Sequence, residues 1–448
     1  MTVALELARA GKKVLLCEAG TESFSSSSQS LYVAHVLGDK YFPLDSCRAR
    51  QLGGTSALWA GWCRPLDAID FERPTPDGAS WPISRNDLAI YTERAAQILR
   101  VRAPHSGRQI GTSDFVDAPY AFSPPVRFAQ DFRADLEQLP SLQVVLSATF
   151  IGGVFDGNAM SIAQFRSDDG SGSMEVSAKC YVLACGGIEN SRLLMWLNSK
   201  AADRLANPKI LGRYFFEHPY YNIAVGFVEK RMVEETNHIQ AIAPTAEYLR
   251  RNGLGNCSIR LDRRREKHKT RSMLRELACL APETSKRLVS LLNRDIVCGV
   301  QVTAMWEQQA SPDNRIELMS QRDGVGLPIA QLRWRKGKTE ADTIQRVAID
   351  WAEMMARYSN GRVKLADWVR RDGIPPVGLQ NTSCHHMGGT RMGNSAAAAV
   401  VDSNCRVFGT RNLYVAGSSV FVTGGYANPT MSIIEISLRL SAHLKENL

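Results

Sequence analysis

The sequence lacks any run approaching the ~18 uninterrupted apolar residues that a membrane span needs. Its ten cysteines include no C-x-x-C and no regular spacing. That argues against a disulfide framework or a metal site and fits a reducing, cytoplasmic setting. Met1–Gly20 is interrupted by Glu6 and Arg9 and has no basic start before a long apolar stretch, so it does not read as a secretory leader. Charge of one sign is not concentrated either. The 54 basic and 45 acidic residues give +9 over 448 residues, which permits an anionic partner without demanding one. What is present is ordinary globular composition, 44% hydrophobic and 22% charged. The length suggests about three domain equivalents at roughly 150 residues each, enough for a sizeable core and too much for a lone small binding module.

One more absence is local. Val3, Leu7 and Ala8 mark a short amphipathic helix, Gly11 ends it, and Val14–Cys17 is a compact apolar run with Glu18 at its end. An apolar strand ending in an acid is the second half of a dinucleotide-binding βαβ unit, where the carboxylate accepts a hydrogen bond from ribose. No strand and no G-x-G-x-x-G precede it. A glycine loop immediately before Met1 would place its first glycine about 20 residues ahead of Glu18, as that fingerprint requires. The alternative is an ordinary helix–strand hairpin with an exposed glutamate.

Residues 21–30 are serine-rich and predict a loop. Gly53, Gly54 and Gly61 then lie close to Trp59 and Trp62, a pattern that suits either an apolar ligand site or a turn beside a core aromatic pair. The alternating runs 142–155 and 160–166 predict a small antiparallel sheet. Residues 181–187 read as a buried strand ending in glycines, and 188–198 have helical apolar spacing, making a second strand–glycine–helix crossover. Between 214 and 377 strand-like runs at 222–228, 295–307, 314–319 and 329–334 surround a helix near 341–357, which suggests a second domain inserted into the first. Residues 260–271 hold seven Lys or Arg against two acids. A solvated face or loop is the simpler reading. Nucleic-acid binding has no recognised motif here to support it.

The last 70 residues carry the densest chemistry. Cys384-His385-His386-Met387-Gly388-Gly389-Thr390 sets two histidines before a glycine turn, residues 406–408 read as a strand, and residues 412–417 form an apolar run ending at Gly417. Gly424–Thr430 leads into a helix, with Asn428 a favoured N-cap and Pro429 a favoured first helical residue. The positive end of that helix suits an anion such as a reduced flavin.

Together these pieces resemble the glucose–methanol–choline (GMC) family of FAD-dependent alcohol oxidoreductases, and within it the pyranose-oxidase-like branch. The matching segments are Glu18-Ala19-Gly20, Gly53–Trp59, Ala184–Asn190, Glu217-His218-Pro219, His386–Thr390 and Asn428–Thr430, in family order. The region between 214 and 377 matches weakly. The resemblance implies an α/β fold: a Rossmann-like FAD domain made of residues 1–213 and 378–448, with a substrate domain of 214–377 built on a mostly antiparallel sheet. It implies His386 as the catalytic base, with Asn428 its partner at the substrate oxygen. The cofactor would be held by Glu18, Gly53, Gly54, Thr55, Ser56, Trp59, Ala184, Gly186, Gly417, Asn428, Pro429 and Thr430. A histidine can accept the hydroxyl proton near neutral pH, and an amide can bond the oxygen without titrating. His385 is set aside as structural, because neighbours in an extended segment face opposite ways. His218 either positions a loop or lines the site.

Two departures from the family pattern matter. Leu58 stands where some relatives carry a histidine attached to FAD, so non-covalent FAD is expected. The missing phosphate loop suggests that the functional protein begins roughly 20–40 residues upstream, an allowance for one strand and its loop. The activity implied is oxidation of a primary or secondary alcohol on a sugar, glycoside or cyclitol, with oxygen or another acceptor reoxidising the flavin. No metal, nucleic acid or membrane span takes part. The rival is a truncated, non-catalytic homologue that keeps the fold without stably binding FAD.

Overall fold

The computed structural model describes residues 1–103, 108–229, 238–239, 241–263, 296–359, 361–376 and 383–448. The chain opens on the helix Thr2–Arg9, which buries Val3, Ala4, Leu5, Leu7 and Ala8. Gly11 turns it at φ +78°, and the strand Val14–Cys17 follows. That strand pairs in parallel with Leu142–Val145. The run 142–155 is thereby divided between two sheets. Ser147, at φ +52°, breaks it, and only Thr149–Asp156 joins Ala159–Arg166 and Ser173–Val176 in the antiparallel sheet expected there.

Tyr181–Leu183 pairs in parallel with Leu413–Val415, and every side chain of the latter is buried, as a continuous apolar run suggests. The helix Gly187–Lys200 follows and lies against Thr149–Asp156, Arg315–Arg322 and Pro328–Trp334. Its Asn190, fully buried, ties the two strand ends together. The side-chain oxygen accepts the Cys185 N–H at 2.8 Å, and the amide donates to the Ala416 carbonyl and to Ser419 Oγ, both at 2.9 Å.

The largest sheet has seven strands, in the order Arg362–Leu365, Tyr220–Glu229, Ile296–Trp306, Cys257–Arg263, Ala241–Pro244, Thr112–Asp117 and Gln109–Ile110. Its six neighbouring pairs are antiparallel. Its last two strands come from the earlier part of the chain, outside 214–377. The helix Lys338–Tyr358 lays Ile344, Val347, Ala348, Trp351, Met354 and Met355 on this sheet, the 3–4 spacing of one helical face. The fold is thus mixed α/β with mostly antiparallel sheets.

Local expectations fail where side chains find better partners. Residues 21–30 contain a short helix, Ser26–Ser30, because Ser25 Oγ accepts the Ser28 N–H. Residues 406–408 form only isolated bridges to Val401 and Tyr414. Arg260 is not on a solvated face: its guanidinium lies 4.0 Å from the Trp62 ring centre and pairs with Asp262. Residues 264–271 of the basic run lie outside the described residues. Asn428 does not cap the C-terminal helix, which spans Thr430–Asn447, since its amide is turned to a histidine instead.

Candidate active site

Three segments converge on His385. Phe216 and Met387 exchange backbone hydrogen bonds at 3.0 and 3.1 Å, which lays residues 216–218 alongside 385–387. The glycine turn at 424–425 closes over both. A Cβ at Gly424 would sit 2.7 Å from the Phe216 ring and 3.1 Å from His218 Nε2, so only glycine lets the backbone approach this closely. The turn then delivers Asn428 just ahead of the helix.

These contacts fix proton positions. His218 Nε2 lies 3.2 Å from the Gly424 carbonyl, which can only accept, so that nitrogen carries a proton in the neutral ring. His218 Nδ1 is then an acceptor, and it lies 3.0 Å from His385 Nδ1, which must donate. His385 Nε2 is left with a lone pair. It faces the Asn428 amide nitrogen at 3.2 Å, and Asn428 Oδ1 is buried without a partner among the described residues. The chain from Gly424 to His218 to His385 therefore presents a basic nitrogen next to an amide. Burial holds both rings neutral, with His218 pushed down to about 4 and His385 well below its ordinary value.

Glu217 supports the arrangement from beneath. Its carboxyl group accepts the backbone N–H groups of His218 and His385, each at 2.8 Å, and the Tyr41 hydroxyl at 2.5 Å. Burial pushes it up to about 7 despite those three donors.

The pair expected from the sequence, His386 with Asn428, is not the pair that forms. Adjacent residues do face apart, as argued, but it is His385 that takes the Asn428 side. His386 packs between the Tyr41 and Phe215 rings, at 6.1 and 6.0 Å, with Nε2 buried and unpartnered among the described residues. Burial, and then the Arg48 charge, push its pKa down to about 3. Sequence reasoning also missed Glu217, Tyr41 and Asn190. Of these, Glu217 and Asn190 sat inside segments already singled out, while Tyr41 carried no signal.

The other expected site residues divide into two groups. Glu18, at the end of its strand, accepts the Gly20 N–H at 2.7 Å, and burial raises its pKa while that bond and Arg50 oppose the rise. Ala184 and Gly186 lie exposed at the end of the strand Tyr181–Leu183. Gly186 takes φ +92°, and a Cβ there would meet nothing within 4 Å. Gly417, at φ +117°, ends the neighbouring strand. Pro429 and Thr430 open the helix beside Asn428.

In the 53–59 segment the polar groups are engaged within the protein. Ser56 Oγ donates to the Gly53 carbonyl and accepts the Phe128 N–H, Trp59 Nε1 donates to the Val126 carbonyl, and Thr55 Oγ1 accepts the Ala49 N–H. Gly53 permits packing against Ala129, whose backbone nitrogen would be 2.9 Å from a Cβ. Gly54 faces open space. A separate cavity of about 440 Å³, lined in part by Phe71, Trp81 and Ile83, includes none of these residues.

Residues 310–437, the span holding His385 and Asn428, match the family model described as GMC oxidoreductase. The C-terminal part of the chain is thus similar to GMC oxidoreductases. The chain is 24% identical over 291 residues to the fructose dehydrogenase large subunit of Gluconobacter japonicus, covering 62% of the chain and 49% of that protein. It is 28% identical over 127 residues to the C-glycoside 3-oxidase of Microbacterium trichothecenolyticum, covering 28% of the chain and 23% of that protein. It thus spans about half the length, or less, of these curated relatives. Its fold matches a solved FAD-dependent oxidoreductase from Chaetomium thermophilum with a TM-score of 0.62 at 13% identity, covering 100% of the chain and 97% of that structure.

Proposed function

We propose that this chain is a GMC-type oxidoreductase that oxidises a C–OH group of a small sugar-like alcohol, with FAD as the hydride acceptor. The observation that carries the reading is the His385–Asn428 pair, a lone-pair nitrogen and an amide held 3.2 Å apart by a buried relay. A substrate hydroxyl that takes the place of this direct Asn428–His385 hydrogen bond would give its proton to His385 Nε2 while its oxygen is held by the Asn428 amide. Asn428 Oδ1 supplies a second, unused acceptor for an adjacent hydroxyl. A site in which a buried amide oxygen has no partner among the described residues suits a polyhydroxy compound better than an apolar alcohol. The names of the two curated relatives, a fructose dehydrogenase and a C-glycoside 3-oxidase, support the same substrate class.

The residues present suit FAD along the parallel strands. Glu18 would accept from ribose, while Ala184, Gly186 and Gly417 let backbone approach a ligand, and the open space beyond Gly186 admits one. Pro429 and Thr430 would set the positive end of the C-terminal helix near the flavin. In this division, residues 1–213 and 378–448 hold the cofactor and 214–377 walls the substrate. Gly54 would help through its backbone. Ser56, Trp59 and Thr55 would act by shaping their loop, since their polar groups are already bonded. Bound there, FAD supplies the electron-pair acceptor, reoxidised by oxygen or another acceptor.

FAD is held non-covalently in this reading, because Leu58 offers no heteroatom for attachment. The test is anaerobic mixing of the flavin-loaded protein with a panel of sugars, glycosides and cyclitols. Substrate-dependent bleaching of the flavin band is expected, and no bleaching by any member of the panel would overturn the reading. Acid precipitation should release the flavin to the supernatant, and a yellow pellet would refute non-covalent binding.

A further inference from the structure

Cys47 and Cys384 lie 337 residues apart in sequence, yet the Cys384 Sγ stands 3.1 Å from the Cys47 Sγ. Both are thiols. A disulfide needs an S–S separation near 2.05 Å, so about 1 Å of closure separates contact from bond. Cys47 is buried at 7% exposure, and Cys384 is partly exposed, so the pair is reached from the Cys384 side.

The two sulfurs differ from the other described cysteines in their surroundings. Burial raises the thiols of Cys17, Cys63, Cys180, Cys185, Cys257 and Cys405. At Cys47 the hydrogen bond from Cys384 lowers the thiol, outweighing burial, and Ser46 and Arg48 add to the effect. Thiolate character is what makes a cysteine a nucleophile. Cys384 also holds a left-handed φ of +53°, uncommon for a residue with a side chain, and it sits between two anchored neighbours. The Ser383 N–H donates to the His218 carbonyl at 3.3 Å, and the His385 N–H donates to Glu217 at 2.8 Å. The segment bearing Cys384 is therefore anchored to residues 217–218, and the Tyr41 hydroxyl, at the start of the loop bearing Cys47, donates to the same Glu217 carboxyl group at 2.5 Å.

We propose that Cys47 and Cys384 form a peroxide-reactive thiol pair, a modification site whose co-substrate is hydrogen peroxide and whose product is a Cys47–Cys384 disulfide. The Cys47 sulfur attacks one peroxide oxygen, the O–O bond breaks, and the other oxygen leaves as water, giving a sulfenic acid. Cys384 Sγ then displaces the sulfenic hydroxyl, which leaves as a second water with the Cys384 proton. Overall two thiols and one peroxide give one disulfide and two waters, the sulfurs losing the two electrons that the peroxide oxygens gain. The bond fastens the segment carrying His385 to the 41–50 loop carrying Tyr41.

The test is peptide mapping of the full chain after brief exposure to hydrogen peroxide, followed by alkylation and digestion without reductant. The expected result is a cross-linked peptide containing Cys47 and Cys384, lighter by two hydrogens than its parts and lost on adding dithiothreitol. Cys47→Ser and Cys384→Ser should each abolish it. Mapping of the unsubstituted chain decides the question alone if either variant fails to fold. Recovery of both cysteines alkylated, oxidation of one sulfur to sulfinic acid without a link, or pairing with other cysteines would overturn the proposal. The readout is the sulfurs themselves, so its failure is separable from failure of the alcohol-oxidation reading.

Discussion

His218 is the residue whose removal tests the relay most sharply. It touches Gly424 through one ring nitrogen and His385 through the other, and it is fully buried. In His218→Leu the His385 Nδ1–H and the Gly424 carbonyl both lose their partner, at about 1–3 kcal/mol for each buried group left unsatisfied. Stability should fall by about 2–6 kcal/mol less the gain from the added apolar contact, read as a lower denaturation midpoint. The catalytic effect is separable. The Nδ1–H tautomer of His385, the one that aims a lone pair at the substrate, loses about 1–3 kcal/mol of support, which corresponds to a rate of flavin reduction lower by about 5- to 150-fold. His218→Asn keeps an acceptor close to the place of Nδ1 and should recover most of that rate. The assay is anaerobic stopped-flow reduction at saturating substrate in flavin-loaded protein. Folded, flavin-loaded His218→Leu that reduces at the parent rate would refute the relay, as would a His218→Asn no better than Leu.

The two adjacent histidines should part company. His385→Ala is expected to slow flavin reduction by about 100-fold or more while FAD stays bound, whereas His386→Phe, packed against Tyr41 and Phe215, should change it by less than about tenfold. The reverse ranking would restore His386 as the base. Glu217 has its folded-state pKa raised to about 7 from 4.5, so it binds a proton on folding and its contribution fades as pH rises through that window. Replacement by Gln removes this dependence. Relative to the parent, Glu217→Gln should gain roughly 3 kcal/mol between pH 4.5 and 7, read by urea denaturation at several pH values; parallel pH profiles would rule this out. Asn190→Ala removes three hydrogen bonds between the ends of the two parallel strands and should cost about 1.5–4.5 kcal/mol, measured as a shift in denaturation midpoint.

Much of the architecture was legible in the sequence because it follows from local periodicity. The apolar runs at Val14–Cys17, Tyr181–Leu183 and Leu413–Val415 are short, unbroken and bounded by glycine or an acid. The helix Lys338–Tyr358 repeats its apolar residues at three and four. Both signals survive without knowledge of neighbours. The division of 142–155 between two sheets was not legible. Ser147 carries no glycine or proline mark, and the partner that claims Leu142–Val145 lies 128 residues upstream.

The site shows the same limit at finer scale. The sequence by itself determined only that His385 and His386 face opposite ways, because the backbone of an extended segment alternates; that His386, the glycine turn and Asn428 share one chemistry was what the family resemblance implied. The sequence could not determine which side is which. That was decided by the bridge between Phe216 and Met387, by the Tyr41–Phe215 pocket that takes His386, and by the Gly424 carbonyl that sets every proton in the relay. It likewise showed ten cysteines without a pattern, and only the tertiary structure brought two of their sulfurs together. Alternation is a property of the chain, and a lone pair's direction is a property of what packs around it.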